Sequence, residues 1–281
     1  MLQMMRVTKA DGSIQPYDRR KVLSTCLKLG ADSALAESVA DKVERHLYDG
    51  IPTKKILRML SRYLKQHQPS IGERTDLKNA LSLLRGKPDW ELFVQLLFAE
   101  LGYAVGRNVT VSGHCVNCEI DAILKKGSEQ ILAEAKHRSD PHARVDLNTC
   151  REVRAVIEDL ADGYRQGSNT QQFTGALIVC NTRFTDLALQ YAKCRGIECL
   201  GWNVPKDNGI STLIEQKQLY PITMLRRLDP ETQQTLGDAG IVLLKQLVTT
   251  SLDGIADKTG VDKAKLQELS TSGWYVIHED R

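Results

Sequence analysis

The chain has 281 residues, is 42% hydrophobic and 26% charged, and carries a net charge of +3. Such a length holds two or three domains, each with its own core. The composition excludes both a disordered polyelectrolyte and a membrane span, since no apolar run reaches the roughly 20 residues that a bilayer demands. A charge this small leaves any polyanion to local patches, while seven scattered cysteines and an N-terminus without a signal-peptide pattern point to a cytoplasmic protein with reduced thiols.

In chain order, Met4 to Thr8 and Ile14 to Tyr17 read as a β-hairpin across Ala10-Asp11-Gly12-Ser13, whose Asp-Gly suits a tight turn. Asp18 can cap a helix carrying Val22, Leu23, Cys26 and Leu27 on one face. Leu35, Val39, Val43 and Leu47 predict a second helix, Ile56, Leu57, Leu60 and Leu64 a third that starts at Thr53, and Glu73 to Leu84 a fourth. Gly86-Lys87-Pro88 breaks the run and reads as a linker.

Beyond it, Trp90, Phe93, Val94, Leu97, Phe98 and Leu101 form the apolar face of a helix, with Asp89 as cap and Gly102 as stop. Cys118 to Leu124 and Gln130 to Lys136 read as strands around Lys126-Gly127-Ser128. A long helix follows, with Val153, Val156, Ile157, Leu160 and Tyr164 on one side. A strand (Gly175 to Cys180), a helix (Thr185 to Arg195) and a strand (Ile197 to Trp202) then make a βαβ unit with parallel strands. The remainder is helical. Leu236, Ile241, Leu244 and Leu247 form one apolar set and Leu252, Ile255, Ala256, Val261 and Leu266 another, a degenerate repeat with turns at Gly240-Ile241 and Gly260-Val261.

The two middle strands carry the chemistry. Alternation places Glu134 and Lys136 on one face and Ala133 and Ala135 on the other, a small apolar face fit to lie under a helix. If Lys125 pairs with Gln130, Asp121 stands opposite Glu134, with Cβ atoms about 4.5–5.5 Å apart. If the turn is Lys126-Gly127 instead, Glu119 takes that place, so a carboxylate cluster survives either register. Two carboxylates so placed repel unless a cation lies between them, and their oxygens suit Mg²⁺ or Mn²⁺. Lys136 can orient a water or stabilise charge developing on phosphorus.

Trp90-Glu91-Leu92-Phe93, Leu101-Gly102-Tyr103, Glu119-Ile120-Asp121 and Ala133-Glu134-Ala135-Lys136 together resemble the Mrr-type branch of the restriction-endonuclease-like superfamily. Asn181-Thr182-Arg183-Phe184-Thr185, Tyr191-Ala192, Gly196-Ile197 and Trp202 look like the second half of the same branch. The resemblance implies Mg²⁺-dependent hydrolysis of DNA phosphodiesters, with Asp121 and Glu134 as metal ligands, Lys136 catalytic and Glu91 a further acidic residue. By periodicity alone, Glu91 is equally a solvated residue of a first helical turn, favourable near the dipole.

Val7-Thr8-Lys9-Ala10-Asp11-Gly12, Tyr17-Asp18 and Lys21-Val22 resemble the ATP-cone, a nucleotide-sensing domain. A glycine turn lets backbone approach phosphates that Lys9 and Lys21 can neutralise. The resemblance makes Val7, Lys9, Asp11, Gly12 and Lys21 the nucleotide-binding set and ATP or dATP the effector. Ala10 stands where the family usually has Arg.

Weaker signals remain. Cys115 and Cys118 form a Cys-x-x-Cys, but a structural zinc site wants four ligands and no second tight pair is near, so they read as reduced cysteines leading into a strand. Lys258-Thr259-Gly260-Val261-Asp262-Lys263 looks somewhat like a helix-hairpin-helix. His137 and His142 read as DNA-facing or solvated. Arg138, Arg144, Arg151 and Arg154 suit phosphate contacts and plain solvation equally.

The expected architecture is α/β. A mainly helical ATP-cone with a β-hairpin (1–86) precedes a restriction-endonuclease-like mixed sheet flanked by helices (87–216), and a small helical tail follows (217–281). The expected function is a Mg²⁺- or Mn²⁺-dependent DNA endonuclease modulated by ATP or dATP. The rival is a nucleotide-responsive DNA-binding regulator whose nuclease fold no longer cuts. DNA and a nucleotide are the expected partners, a membrane is not, and a homodimer stays open.

Overall fold

A computed structural model of the chain describes residues 5–9, 12–29, 31–67 and 75–278. Met4, Ala10, Asp11 and Glu73, to which the sequence assigns a strand start, a turn, a nucleotide contact and a helix start, lie outside them.

In the N-terminal region β1 (Arg6–Thr8) pairs antiparallel with β2 (Ile14–Pro16) and parallel with β3 (Ile51–Pro52). β3 is too short to leave a periodic signal and was not expected. Three helices, α1 (Arg19–Lys28), α2 (Ser33–Glu44) and α3 (Thr53–His67), pack on this sheet. Asp18 and Asp32 cap the first two, each accepting a backbone N–H of the first turn. Val7, Val22, Cys26, Val39, Val43, Ile51, Leu60 and Leu64 close a core of their own.

The central region begins with α4 (Leu77–Leu83), a π-helical turn (Gly86–Trp90) and α5 (Glu91–Glu100). Next come β4 (Ala104–Ser112), β5 (Asn117–Lys126), β6 (Glu129–Lys136), β7 (Arg144–Val145), α6 (Leu147–Gln166), β8 (Gly175–Cys180), β9 (Arg183–Phe184), α7 (Asp186–Arg195) and β10 (Ile197–Leu200). The main sheet runs β10-β8-β6-β5-β4. Its β4, β5 and β6 are antiparallel, and its β6, β8 and β10 parallel, so it is mixed as expected. β4 is a second unannounced strand: Gly106 and Asn108 interrupt its alternation.

The C-terminal helices are α8 (Ile210–Lys217), α9 (Pro230–Asp238), α10 (Leu244–Thr249), α11 (Leu252–Thr259) and α12 (Lys263–His278). The expected repeat is visible in them, since Gly240 (φ 82°) and Gly260 (φ 70°) both take the left-handed conformation after a helix. Their apolar residues do not form a separate core: Leu236, Leu244, Leu247 and Leu266 share one cluster with Trp90, Phe93, Leu97, Ala133 and Val179. The other face of the sheet packs Ile120, Leu132, Ile178 and Cys180 against Val153, Leu160 and Ala188 of α6 and α7.

Candidate active site

The β5–β6 ladder runs from Lys126↔Glu129 to Ala122↔Ala133 around a Gly127-Ser128 turn. Lys125 pairs with Gln130, the first of the two registers open to the sequence, and the ladder ends at Ala122↔Ala133, one step short of Asp121 and Glu134. At that step the side chain of Asp121 replaces a strand carbonyl: the Ala135 N–H donates to Asp121 Oδ2 at 2.8 Å. On β6, Ala133 and Ala135 lie toward the core of α5 and Leu132 toward that of α6, so Glu134 and Lys136 share the α6 side.

Asp121 also marks a change of face. Cys118 and Ile120 belong to the core under α6, yet Ala122 and Leu124, of the same parity, belong to that of α5. The adjacent strand turns over at the same level, between Arg107↔Ala122 and Val109↔Ile120, where Asn108 has φ 45°. A left-handed conformation is more readily adopted by Asn than by most residues, and here the Asn108 amide is held by Gln95 and Glu91 of α5. The paired irregularity turns Asp121 inward, and only 7% of it is exposed.

A closed set of contacts surrounds it. Gln95 Nε2 of α5 donates to the Asp121 carbonyl (2.8 Å) and to Asn108 Oδ1 (2.9 Å). Asn108 Nδ2 donates to Glu91 Oε2 (2.8 Å), and Lys87 Nζ meets Glu91 Oε1 at 2.9 Å, Glu119 Oε1 at 3.4 Å and Asp121 Oδ1 at 3.8 Å. On the far side Lys136 Nζ pairs with Glu134 Oε1 at 2.7 Å. Burial, with Glu134 and Glu91 nearby, raises Asp121 to about 6, which the Ala135 N–H and the Lys87 ammonium partly offset.

Lys87 and Asn108 thus bring Asp121 and Glu91 together, Glu134 lies near enough to Asp121 to raise its pKa, and Lys136 is held by Glu134. Glu91 is 4% exposed, so the solvated alternative for it is excluded. The sequence reading missed Lys87, Gln95 and Asn108. The four-residue spacing of Lys87 and Glu91 was a usable signal, hidden because Gly86-Lys87-Pro88 read as a linker. Asp89 is corrected as well. It is 1% exposed and accepts from Arg85 three times, from Nε at 2.9 Å, Nη2 at 2.6 Å and the backbone N–H at 3.3 Å, while α5 has no side-chain cap.

Of the residues expected to bind nucleotide, the described ones lie in the N-terminal region, on the hairpin and, for Lys21, in the first turn of α1. Val7 is buried in the core of that region, so its side chain is structural. Lys9 closes the turn through its backbone, donating to the Ser13 carbonyl and accepting from Gly12 N–H, and Gly12 has φ 80°. Gly12 and Lys21 are exposed.

His137 is neither solvated nor facing outward: it is half-buried against the Trp90 ring, with Nε2 at 3.0 Å from the Leu81 carbonyl, and burial lowers its pKa. His142 is exposed. Asn181 is fully buried and holds the backbone of Arg138 through both amide atoms. Arg144 and Arg183 sit at paired positions of β7 and β9, both exposed, while Arg154 is paired with Glu158. The Cys115–Cys118 turn is fixed by Asp159 of α6, which accepts the N–H groups of Cys115 and Val116. Among the described residues no three His, Cys, Asp or Glu side chains are grouped to hold a metal unaided, and no helix is long and apolar enough to cross a membrane.

Family models match three stretches of the chain: an ATP cone domain at residues 5–73, a restriction endonuclease domain of the Mrr type at 86–201, and an AF1548-like C-terminal domain at 220–271. An uncharacterized protein of Archaeoglobus fulgidus is 32% identical over 181 residues, 64% of this chain and 98% of its own. A second uncharacterized protein of that organism is 43% identical over 42 residues, 15% of this chain and 89% of its own. The crystal structure of AF1548, a protein of unknown function, superposes with a TM-score of 0.58 at 32% identity, covering 66% of this chain and 96% of that one.

Proposed function

Because the chain belongs to the Mrr-type restriction-endonuclease family, with an ATP cone ahead of the nuclease domain and an AF1548-like domain behind it, we propose that it is a metal-dependent DNA endonuclease whose activity responds to bound ATP or dATP. The observation that carries this reading is Asp121, a buried carboxylate beside two others, placed by a break in the strand ladder and answered by two ammonium groups. A hydrogen-bonded core aspartate has no structural need for such company.

The residues fit a hard cation. The donors are carboxylate oxygens, Lys87 and Lys136 now supply the positive charge, and Mg²⁺ needs only one or two carboxylates because it keeps several waters. Asp121 and Glu134 would hold it. The metal, when bound, polarises a phosphate oxygen and lowers the pKa of a bound water. Asp121 stays fixed on the Ala135 N–H while it serves as a ligand. Lys136, released from Glu134, turns its ammonium to the charge that grows on the phosphate. Arg144 and Arg183, side by side on the short second sheet, suit the flanking backbone phosphates.

The deciding experiment is cleavage of plasmid and single-stranded DNA with Mg²⁺ or Mn²⁺, with and without ATP, by the wild type, Asp121→Ala and Lys136→Ala. Cuts made by the wild type alone, changed in rate by ATP, support the reading. DNA binding without cleavage in either metal overturns it in favour of a nucleotide-responsive regulator.

A further inference from the structure

Glu91 and Asp121 are 4% and 7% exposed, and buried carboxylates need a cation placed against them. The cation present is Lys87, whose Nζ lies 2.9 Å from Glu91, 3.4 Å from Glu119 and 3.8 Å from Asp121. The two oxygens of Asp121 are not equivalent: Oδ2 is held by the Ala135 N–H, and Oδ1 is the one that faces Lys87. A cation taken up by Asp121 therefore meets the same oxygen.

The two lysines also differ. The Lys136 side chain is 28% exposed and pairs with Glu134 alone, whereas that of Lys87 is 63% exposed and reaches the carboxylates from solvent. The backbone beneath Lys87 is anchored on both sides. Arg85 is tied to Asp89 and to Asp238 of α9, and Glu91 begins α5. The ammonium can leave by side-chain rotation alone, without refolding of the turn.

We propose that Lys87 is the resident counter-cation of this site and that a divalent metal binds only by displacing it, so that Lys87 sets the metal affinity; this rests on the metal-dependent reading of Asp121 and Glu134. Lys87 is a positioning residue in this role. It holds Glu91 and Asp121 in place by ion pairing while metal is absent, and it weakens the hold of the site on the metal.

The test is calorimetric titration of the full chain with Mn²⁺ at pH 8, where Asp121 is ionised. Lys87→Met should bind Mn²⁺ about tenfold more tightly than the wild type, the size expected when a partly screened charge no longer competes. Lys87→Arg, which keeps the charge, should bind like the wild type. Tighter binding is a gain that a damaged fold cannot produce. Unchanged or weaker binding by Lys87→Met, with Asp121→Asn abolishing binding, overturns the role of Lys87 and leaves the metal site standing. Equal binding by the wild type and Asp121→Asn removes the metal site itself.

Discussion

The carboxylate cluster and the N-terminal hairpin are both charged sites, built in opposite ways. Around Asp121 every charge is buried or held: Glu91 by Asn108 and Lys87, Asp121 by Ala135, Glu134 by Lys136. At the hairpin Lys9 meets Ser13 and Gly12 through its backbone, and Gly12 and Lys21 stand in solvent. A site that must grip a small hard cation benefits from fixed groups in low dielectric, where like charges store repulsion until the cation arrives. A site for an exchangeable nucleotide needs only accessible donors on a turn, and its lysines lose little when it is empty. Substitutions should therefore trade stability against function in the first region and leave stability untouched in the second.

The largest effect is expected at Asp121. Asp121→Asn keeps the shape and removes the charge, so cleavage should fall by about a thousandfold or more, as for loss of a group that acts in the transition state. Stability should move the other way. The Asp121 carboxyl, raised from 3.8 to about 6, binds its proton more tightly folded than unfolded, so wild-type stability falls as pH rises from about 4 to about 6 and stays lowered above that. Two pH units correspond to at most about 3 kcal/mol. Thermal melts of the two proteins should thus agree near pH 4 and diverge by pH 7 in favour of Asp121→Asn. A variant no more stable than the wild type at pH 7 would show that the cluster is relaxed rather than strained. Added Mg²⁺ should stabilise only the wild type, whose cleavage should fade below pH 6 as Asp121 is protonated.

The next effect lies beside the cluster. Asp89 is 1% exposed and depends on Arg85, so Arg85→Met leaves a buried carboxylate without its cation. A loss of about 3 kcal/mol is expected in urea unfolding. Gly237 of α9 packs against this pair so closely that an added Cβ would collide with Asp89 Oδ1, which shows how little room the segment has. A loss below about 1 kcal/mol would mean that Asp89 finds water instead.

Much of this was legible in the sequence. The sequence left two registers open for this hairpin and the fold takes the one that pairs Lys125 with Gln130, while the small Ala133 and Ala135 marked the face that lies under a helix, which is α5. The βαβ unit was bounded by Gly175, Thr185 and Gly196, each a strand or helix end with a local cause. What escaped has physical reasons. β4 carries Gly106 and a left-handed Asn108, both contrary to strand propensity, because the chain turns over there to bury Asp121. β3 is two residues long and exists only through pairing with β1. Lys87 stands in a Gly-Lys-Pro triplet that reads as punctuation, and only the folded turn brings it to Glu91. Asp89 in the same turn is drawn from its expected cap position by Arg85.

The smallest effect should come from the hairpin, where function and stability separate cleanly. Lys9→Ala and Lys21→Ala remove cations at the surface, of which Lys21 has Asp18 as a neighbouring charge, so melting should shift by less than about 0.5 kcal/mol. Each lysine, if it meets a nucleotide phosphate, contributes a charge-assisted contact, and its loss should weaken ATP binding by about tenfold in equilibrium titration. Metal-dependent cleavage without nucleotide should stay at the wild-type level, because no contact of the cluster involves either lysine. If Lys21→Ala instead unfolds the region with ATP affinity unchanged, Lys21 is holding structure and the contrast with Asp121 disappears. If ATP affinity falls while the stimulation or inhibition of cleavage by saturating ATP persists, the nucleotide acts through the same turn with weaker grip, which places the coupling downstream of the lysines.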